Sequence, residues 1–195
     1  MFLLKRPVRF ALNKEKCVEA IDFIATQWPG ITQYFICKTF YFADKQHFVD
    51  WGRPISGDFY VAMPHGPVPS RIYELLKPNS GEEDDWIENF DTLLFTEQKG
   101  RLTHVFSREI SEHKLLSRTD EECLFAWLDH FKKLPPTDRF PEIERLAHAE
   151  KAWLDATDLP GNAPEMDLSS WGKEIGLSES DFKSAVFEVS RFAAI

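Results

Sequence analysis

The residue whose type and surroundings best suit chemistry is His65, in the segment GDFYVAMPHGPVPSRIY at 57–73. It stands between a proline and a glycine, a setting that predicts a loop between a strand and a helix. A loop histidine can act as an acid, a base or a metal ligand. Catalysis would also require a nucleophile or a carboxylate within reach, and nothing in the spacing brings Asp58 or His47 to it. The residues favour a histidine that hydrogen-bonds neighbouring backbone.

A second candidate is the DxxH step formed by Asp44 and His47, which lie one turn apart on a predicted helix. With His65, His148 or Asp58 they could hold a metal ion, but two ligands without a third do not define a site. We expect instead a polar line on a buried helix, whose members need hydrogen-bonding partners from the loop at 57–67. The line consists of Lys38, Tyr41, Asp44 and His47.

Familiar catalytic and nucleotide-binding motifs do not occur in the sequence. Gly57 and Gly66 do not form a phosphate-binding loop, because neither GxxxxGK[ST] nor GxGxxG is present. There is no GxSxG elbow, and no cysteine has a local catalytic pattern. His104 alternates with apolar neighbours in a predicted hairpin, which is typical of a surface position. We therefore predict that the protein is not an enzyme.

The composition is that of a globular domain with an aromatic core. The chain has 195 residues, of which 43% are hydrophobic and 14% aromatic, enough to bury a core without a disulfide or metal. Cys17, Cys37 and Cys123 form no CxxC pair, which favours free thiols in a reducing compartment. No stretch approaches a membrane span or a signal peptide, so we expect a cytoplasmic protein.

The net charge of −9 argues against a nucleic-acid-binding surface, which needs clustered lysine and arginine. Five basic residues do gather near the start of the chain, and we expect them to be solvated. The acidic balance suits a basic protein partner, since opposite charges speed encounter. The five residues are Lys5, Arg6, Arg9, Lys14 and Lys16.

The first half of the chain is predicted to hold two helices before the 57–73 segment. Asn13 is suited to cap the first helix, and Gly52 suits the left-handed position after the second. The second helix is apolar nearly all round, as helices in the middle of a fold are. The predicted elements are helices at 14–28 and about 31–50, a strand at 59–63 and a short helix in SRIYELLK.

The middle of the chain is predicted to contain a connection and a hairpin. The acidic stretch at 82–91 is expected to be exposed, with Trp86 turned inward. LLFTEQKGRLTHVFS alternates around Lys99-Gly100 and predicts a β-hairpin. The predicted fold class is mainly α (α+β): a single-domain helical fold with a small β element, made of a short strand plus a β-hairpin.

Three further helices are predicted after the hairpin. Thr119 and Glu122 form a capping-box pattern before the first of them. Pro141 suits the first turn of the next, which is expected to continue to about residue 156. Ser178 is suited to cap the last helix.

The segment at 38–73 resembles the signature of the Panacea (SocA-like antitoxin) family, in which a KLLYxAD…H helix precedes GxPIxGDxYxAxxxGPVxxxIY. Phe40, where leucine is usual, and Ser56 in the turn are small departures. The resemblance covers most of the chain and implies one Panacea domain over 1–195 with its core motif at 38–73. The matching residues are Lys38, Tyr41, Ala43, Asp44, His47, Gly52, Pro54, Ile55, Gly57, Asp58, Tyr60, Ala62, Gly66, Pro67, Val68, Ile72 and Tyr73.

The resemblance implies an antitoxin of a two-gene toxin–antitoxin system, often carried by prophages, that neutralises a cognate toxin by direct binding. It implies no catalytic residue, cofactor or metal. We expect the motif to be scaffold, with Tyr60 and Tyr73 packed inward and with Asp58 and the loop backbone meeting Lys38 and Asp44. Contact with the partner is expected at His65 and Arg71. The scaffold positions are Lys38, Tyr41, Asp44, His47, Gly57, Asp58, Tyr60, Gly66, Pro67 and Tyr73.

Three alternatives to simple neutralisation remain open at this stage. The protein could be an adaptor that delivers a toxin to a cellular protease. It could be a metal-dependent enzyme using Asp44, His47 and His65. It could bind its own promoter through the basic N-terminus. The sequence does not settle the oligomeric state.

Overall fold

The computed structural model describes residues 7–77, 87–108 and 111–192. The chain is 57% helical with 13% strand, which confirms the predicted mainly-α, α+β class. The helices are α1 (Lys14–Gln27), α2 (Gln33–Trp51), α3 (Ser70–Leu75), α4 (Ile87–Leu93), α5 (Arg118–Lys133), α6 (Pro136–His148), α7 (Lys151–Thr157), α8 (Ser169–Glu174) and α9 (Glu179–Phe192). The strands are β1 (Ile31–Thr32), β2 (Tyr60–Met63), β3 (Gly66–Pro69), β4 (Leu94–Lys99) and β5 (Leu102–Ser107). Within these residues, no helix has the length and hydrophobicity needed to cross a membrane.

The strands form two small antiparallel sheets. The predicted β4–β5 hairpin is confirmed, and β1 adds to its other edge in the order β1-β5-β4. The strand predicted at 59–63 is also confirmed, but the chain after it is not a loop. Residues 66–69 form β3, which pairs with β2 across a turn at Pro64 and His65. This strand was not predicted because it contains two prolines, and proline is rare in the middle of a sheet.

The two N-terminal helices begin and end where their local sequence directs. The Asn13 side chain accepts a hydrogen bond from the Lys16 amide and so caps α1. Gly52 has φ +75° immediately after α2, the left-handed geometry that glycine adopts at little cost.

The cap of α5 differs from the predicted Thr119–Glu122 pair. Ser117 is the N-cap, and its side chain accepts from the Asp120 amide while Asp120 accepts from the Ser117 amide. Asp120 therefore takes the role that the sequence pattern gave to Glu122. The Thr119 hydroxyl is instead hydrogen-bonded to His47.

Two other predicted elements need correction. One helix expected from Pro141 to about 156 is two helices, α6 and α7, and Pro141 lies inside α6. The end of the connection expected at 82–91 is helical, since α4 begins at 87, while Trp86 lies outside the described residues. The short α8 was not predicted. The predicted cap of α9 is confirmed, since the Ser178 hydroxyl accepts from the Asp181 amide.

Helix α2 lies between two hydrophobic clusters and contributes to both. One cluster joins it to α1 and the three-stranded sheet, through residues such as Ile21, Phe40 and Val105. The other joins it to α8 and α9, through Phe48, Trp171 and Phe182. A helix buried on all sides has no solvent for its polar residues, so each of them must find a partner in the protein.

Candidate functional site

Asp44 is the centre of the polar contacts that α2 makes with the segment after it. Its Oδ1 accepts from the amides of Ile55 and Ser56, each at 2.9 Å. Its Oδ2 accepts from the hydroxyls of Ser56 and Tyr60, the latter at 2.8 Å. Burial raises the pKa of Asp44, and these four donors oppose the rise. Tyr60 lies in the 57–67 segment expected to supply these partners, but the backbone donors are Ile55 and Ser56, just before that segment.

His47 joins α2 to the start of α5. Its Nδ1 lies 2.7 Å from the Arg53 carbonyl oxygen, which can only accept, so Nδ1 carries the proton. Its Nε2 lies 2.9 Å from the Thr119 hydroxyl and 3.2 Å from Asp120. Burial lowers the pKa of His47, which keeps the ring neutral and able to accept from Thr119. Nε2 thus joins α2 to α5, and Nδ1 holds the turn that follows α2.

Asp120 extends these contacts to α1 and to the turn after α2. Its Oδ2 pairs with Lys16 Nζ at 2.7 Å and its Oδ1 with Arg53 at 3.0 Å. Burial by itself would raise the pKa of Asp120, but the Lys16 and Ser117 hydrogen bonds outweigh it and the pKa is lowered. The carboxylate therefore stays charged and links three segments of the chain.

Lys38 is buried beneath β3. Its Nζ donates to the Pro67 carbonyl oxygen at 2.8 Å. Burial lowers its pKa to about 7. Gly66 has φ +99°, and a Cβ there would stand 2.6 Å from the Ala147 Cβ and 2.9 Å from Lys38 Nζ. Residue 66 must therefore be glycine while residue 38 is lysine, because the Lys38 amine occupies the space that a side chain at position 66 would take.

Asp58 caps α3, contrary to the expectation that its side chain would meet Lys38 and Asp44. Its Oδ2 accepts from the amides of Arg71 and Ile72, each at 2.9 Å, and its Oδ1 accepts from Phe59 at 2.8 Å. The Arg71 and Ile72 amides lie in the first turn of α3 and have no partner within the helix. Burial raises the pKa of Asp58 to about 7, against the opposing effect of the three donors.

We expect Asp58→Ala to lower the free energy of unfolding by about 2–3 kcal/mol, because three backbone donors lose their acceptor. Urea denaturation followed by circular dichroism measures the loss. Asp167→Ala is the matched control, since this exposed carboxylate accepts one amide near the start of α8 and should cost under about 1 kcal/mol. A fully stable Asp58→Ala that no longer functions would contradict the structural role and revive a catalytic one.

The tip of the β2–β3 hairpin is held by two aromatic residues from the helices behind it. Trp153 Nε1 donates to the Met63 carbonyl at 3.0 Å, and His148 Nε2 lies 3.0 Å from the Pro64 carbonyl. Their rings stack with centroids 4.2 Å apart. The tip is therefore fixed in position, although it projects from the surface.

His65 occupies that tip and is 64% exposed. Its Nδ1 lies 2.6 Å from Glu144 Oε1, and its ring packs edge-on against Phe140. The expectation that it bonds neighbouring backbone is therefore wrong, since its partner is a side chain of α6. Arg71 lies apart from the tip, in the first turn of α3, where its amide is bound by Asp58.

A depression of about 290 Å³ separates the tips of the two hairpins. Its floor is α2 and its walls carry the exposed ends of both turns. Tyr73, expected to pack inward, is half-buried and forms part of the wall, while Tyr60 is fully buried as predicted. We name it the hairpin cleft; it is lined by Thr32, Gln33, Tyr34, Cys37, Lys38, Met63, Pro64, His65, Val68, Tyr73, Arg101, Leu102 and Thr103.

The structure does not gather the proposed metal ligands. Asp44, His47 and His65 each bind different partners, as described above. Across 7–77, 87–108 and 111–192, no group of three or more His, Cys, Asp or Glu side chains is arranged to hold a metal ion. Sequence reasoning missed the role of Asp120 and the place of Arg101 in the cleft lining. The spacing of Ser117 and Asp120 is a capping-box pattern that could have indicated Asp120, whereas Arg101 has no local motif and only the tertiary fold brings it to the cleft.

The fold and the site together define a mainly helical α+β domain whose buried polar motif is committed to internal contacts. The chain belongs to the family described as antitoxin SocA-like, Panacea domain, whose model matches residues 36–154. This match confirms the resemblance seen at 38–73. No curated protein and no solved structure matches the chain significantly. Membership supports an antitoxin role in general and favours a non-enzymatic one.

Proposed function

We propose that this protein neutralises a cognate toxin by binding it directly. Membership in a family of SocA-like antitoxins carries the proposal. The contacts of the motif support it, because the polar groups of Asp44, Asp58 and His47 are used to join segments of the fold. Groups engaged in this way stabilise a scaffold, and the surface around it is left to meet a partner.

The proposal also places the protein in the cytoplasm, where it meets the toxin. It further treats residues 1–195 as a single domain. Cys17, Cys37 and Cys123 are free and buried, which suits a reducing compartment. Helices α8 and α9 pack against α2, the motif helix, which supports a single folding unit. His65 and Arg71 remain predicted contacts with the toxin, and His65 has the more exposed setting.

The test is co-expression with the adjacent toxin gene in a bacterial host. We expect that gene alone to stop growth, and co-expression with this protein to restore colony counts by about a hundredfold or more, because a standard interface of about 1,600 Å² suffices for tight binding. A product harmless by itself, or one still toxic beside this protein, would refute the proposal.

The same strains separate neutralisation by occlusion from delivery to a protease. Toxin that accumulates equally in protease-proficient and protease-null cells, and co-purifies with this protein, supports occlusion. Toxin that disappears only in the proficient cells would assign the adaptor mechanism instead. Pulse labelling must first show that both strains synthesise the toxin at the same rate, so that a difference in its accumulation reports degradation.

A further inference from the structure

The hairpin cleft differs in charge from the rest of the protein. The chain as a whole carries −9. Its lining holds the exposed Arg101 and the buried Lys38, whose pKa burial lowers to about 7, and no Asp or Glu among the residues the structure describes; Glu144 lies just outside it, bound to His65. A local surface that is positive on an acidic protein attracts a negatively charged group and orients the partner that carries it.

The two basic side chains of the cleft have hydrogen-bond donors to spare. Lys38 Nζ has one hydrogen bond, to the Pro67 carbonyl, and three donors when protonated. Arg101 is exposed at the β4–β5 turn and has no carboxylate partner within the described chain. A guanidinium binds a carboxylate with two parallel hydrogen bonds, so Arg101 is suited to receive an acidic side chain.

The lining of the cleft also includes a tyrosine hydroxyl that is unpaired among the described residues. Tyr34 lines the cleft, and its buried Oη has no hydrogen-bond partner within the described residues. A buried hydroxyl without a hydrogen-bond partner destabilises the fold. A polar group that enters the cleft and reaches Tyr34 relieves part of this destabilisation.

Apolar side chains form another part of the lining, beside polar ones such as Gln33 and Thr103. Leu102 is 52% exposed at the rim, facing a lining that includes Met63, Val68 and Tyr73. Exposed apolar groups beside a few polar ones are typical of protein recognition sites. A volume of about 290 Å³ is at the lower limit for ligand pockets and suits one or two side chains.

We propose that the hairpin cleft binds a segment of the toxin in which an Asp or Glu side chain stands next to a large apolar side chain. The carboxylate pairs with Arg101 and approaches Lys38, and the apolar side chain packs against Leu102 and Tyr73. This inference rests on the proposed function, because it assigns the surface and the chemistry through which the toxin is held.

The first test is charge reversal at the rim. We expect Arg101→Glu to raise the Kd for the adjacent gene's purified product by about 30-fold, since an attraction becomes a repulsion. Arg118→Glu makes the same charge change at a residue 90% exposed outside the cleft, and should alter Kd less than about twofold. Isothermal titration calorimetry gives Kd, and thermal unfolding verifies that both variants fold.

The second test identifies the partner carboxylate. Each Asp and Glu of the toxin is replaced by Lys, and the set is titrated against Arg101→Glu. We expect one toxin replacement to lower the Kd for the Arg101→Glu variant at least tenfold. The same replacement should raise the Kd for the unsubstituted protein. A set with no such replacement would overturn the assignment of a carboxylate to this cleft.

The outcomes separate the two proposals. If the unsubstituted protein binds and neutralises the toxin, and Arg101→Glu does so equally well, the cleft assignment falls and the antitoxin function stands. If the unsubstituted protein neither binds nor neutralises the toxin, both fall. Loss of binding in Arg101→Glu with full binding by Arg118→Glu supports both.

Discussion

Replacing Asp44 by alanine is expected to lower the free energy of unfolding by about 4 kcal/mol or more. The carboxylate accepts from two amides and two hydroxyls in the buried interior, at Ile55, Ser56 and Tyr60. Alanine would leave all four donors without an acceptor and without access to water. Urea denaturation followed by circular dichroism and by tryptophan fluorescence measures the effect.

Two further variants make the Asp44 result interpretable. Asp44→Asn keeps one carbonyl oxygen for the two amides, and both hydroxyls can rotate to accept from its NH₂ group, so it should cost less than half as much as alanine. Asp50→Ala is the matched control on the same helix, where the carboxylate binds Gln46 in a solvent-exposed contact, and should cost under about 0.5 kcal/mol. A loss at Asp44 no larger than at Asp50 would contradict the central role assigned to this carboxylate.

Gly57→Ala is expected to cost about 3 kcal/mol or more and to detach the segment before α1. Gly57 has φ +70°, and a Cβ there would stand 2.0 Å from the backbone oxygen of Ala11. A backbone atom cannot swing aside as a side chain can, so the two segments must separate. The hydrogen bond from the Asn13 amide to the Ser56 carbonyl would be lost with them. Hydrogen exchange at the Asn13 amide reports this separation directly.

The Gly52→Ala variant shows how much of the Gly57→Ala cost comes from backbone strain and how much from the steric clash with Ala11. Gly52 has nearly the same φ, +75°, but a Cβ there meets nothing within 4 Å. Its cost should be about 1 kcal/mol, the penalty for a left-handed alanine. If Gly57→Ala costs no more than Gly52→Ala, the close approach of Ala11 plays no part in stability.

The elements that sequence predicted well are those whose signals are local. Asn13 at the start of α1, Gly52 after α2 and the alternation around Lys99-Gly100 each act within a few residues. Such signals do not depend on the rest of the fold, and the observed bounds follow them closely. The buried polar line on α2 was predictable for a related reason, because an all-round apolar helix leaves its polar members no solvent.

The parts that sequence missed depend on contacts between distant segments. β3 forms despite two prolines because the Pro67 carbonyl accepts from Lys38 and the strand pairs with β2. Asp120 gains its role from Lys16 and Arg53, far from it along the chain. The hairpin cleft needs both hairpins, and neither turn indicates by itself that Arg101 and His65 line one depression.

The aromatic cluster around Phe48 has a consequence for how this protein evolves. Phe48 and Tyr60 lie within the family match at 36–154, whereas Trp171 and Phe182, which pack on them, lie beyond it. A change of ring size on one side leaves a cavity or an overlap on the other. In homologous chains we therefore expect positions 171 and 182 to co-vary with 48 and 60, so that the inherited unit is longer than the matched region.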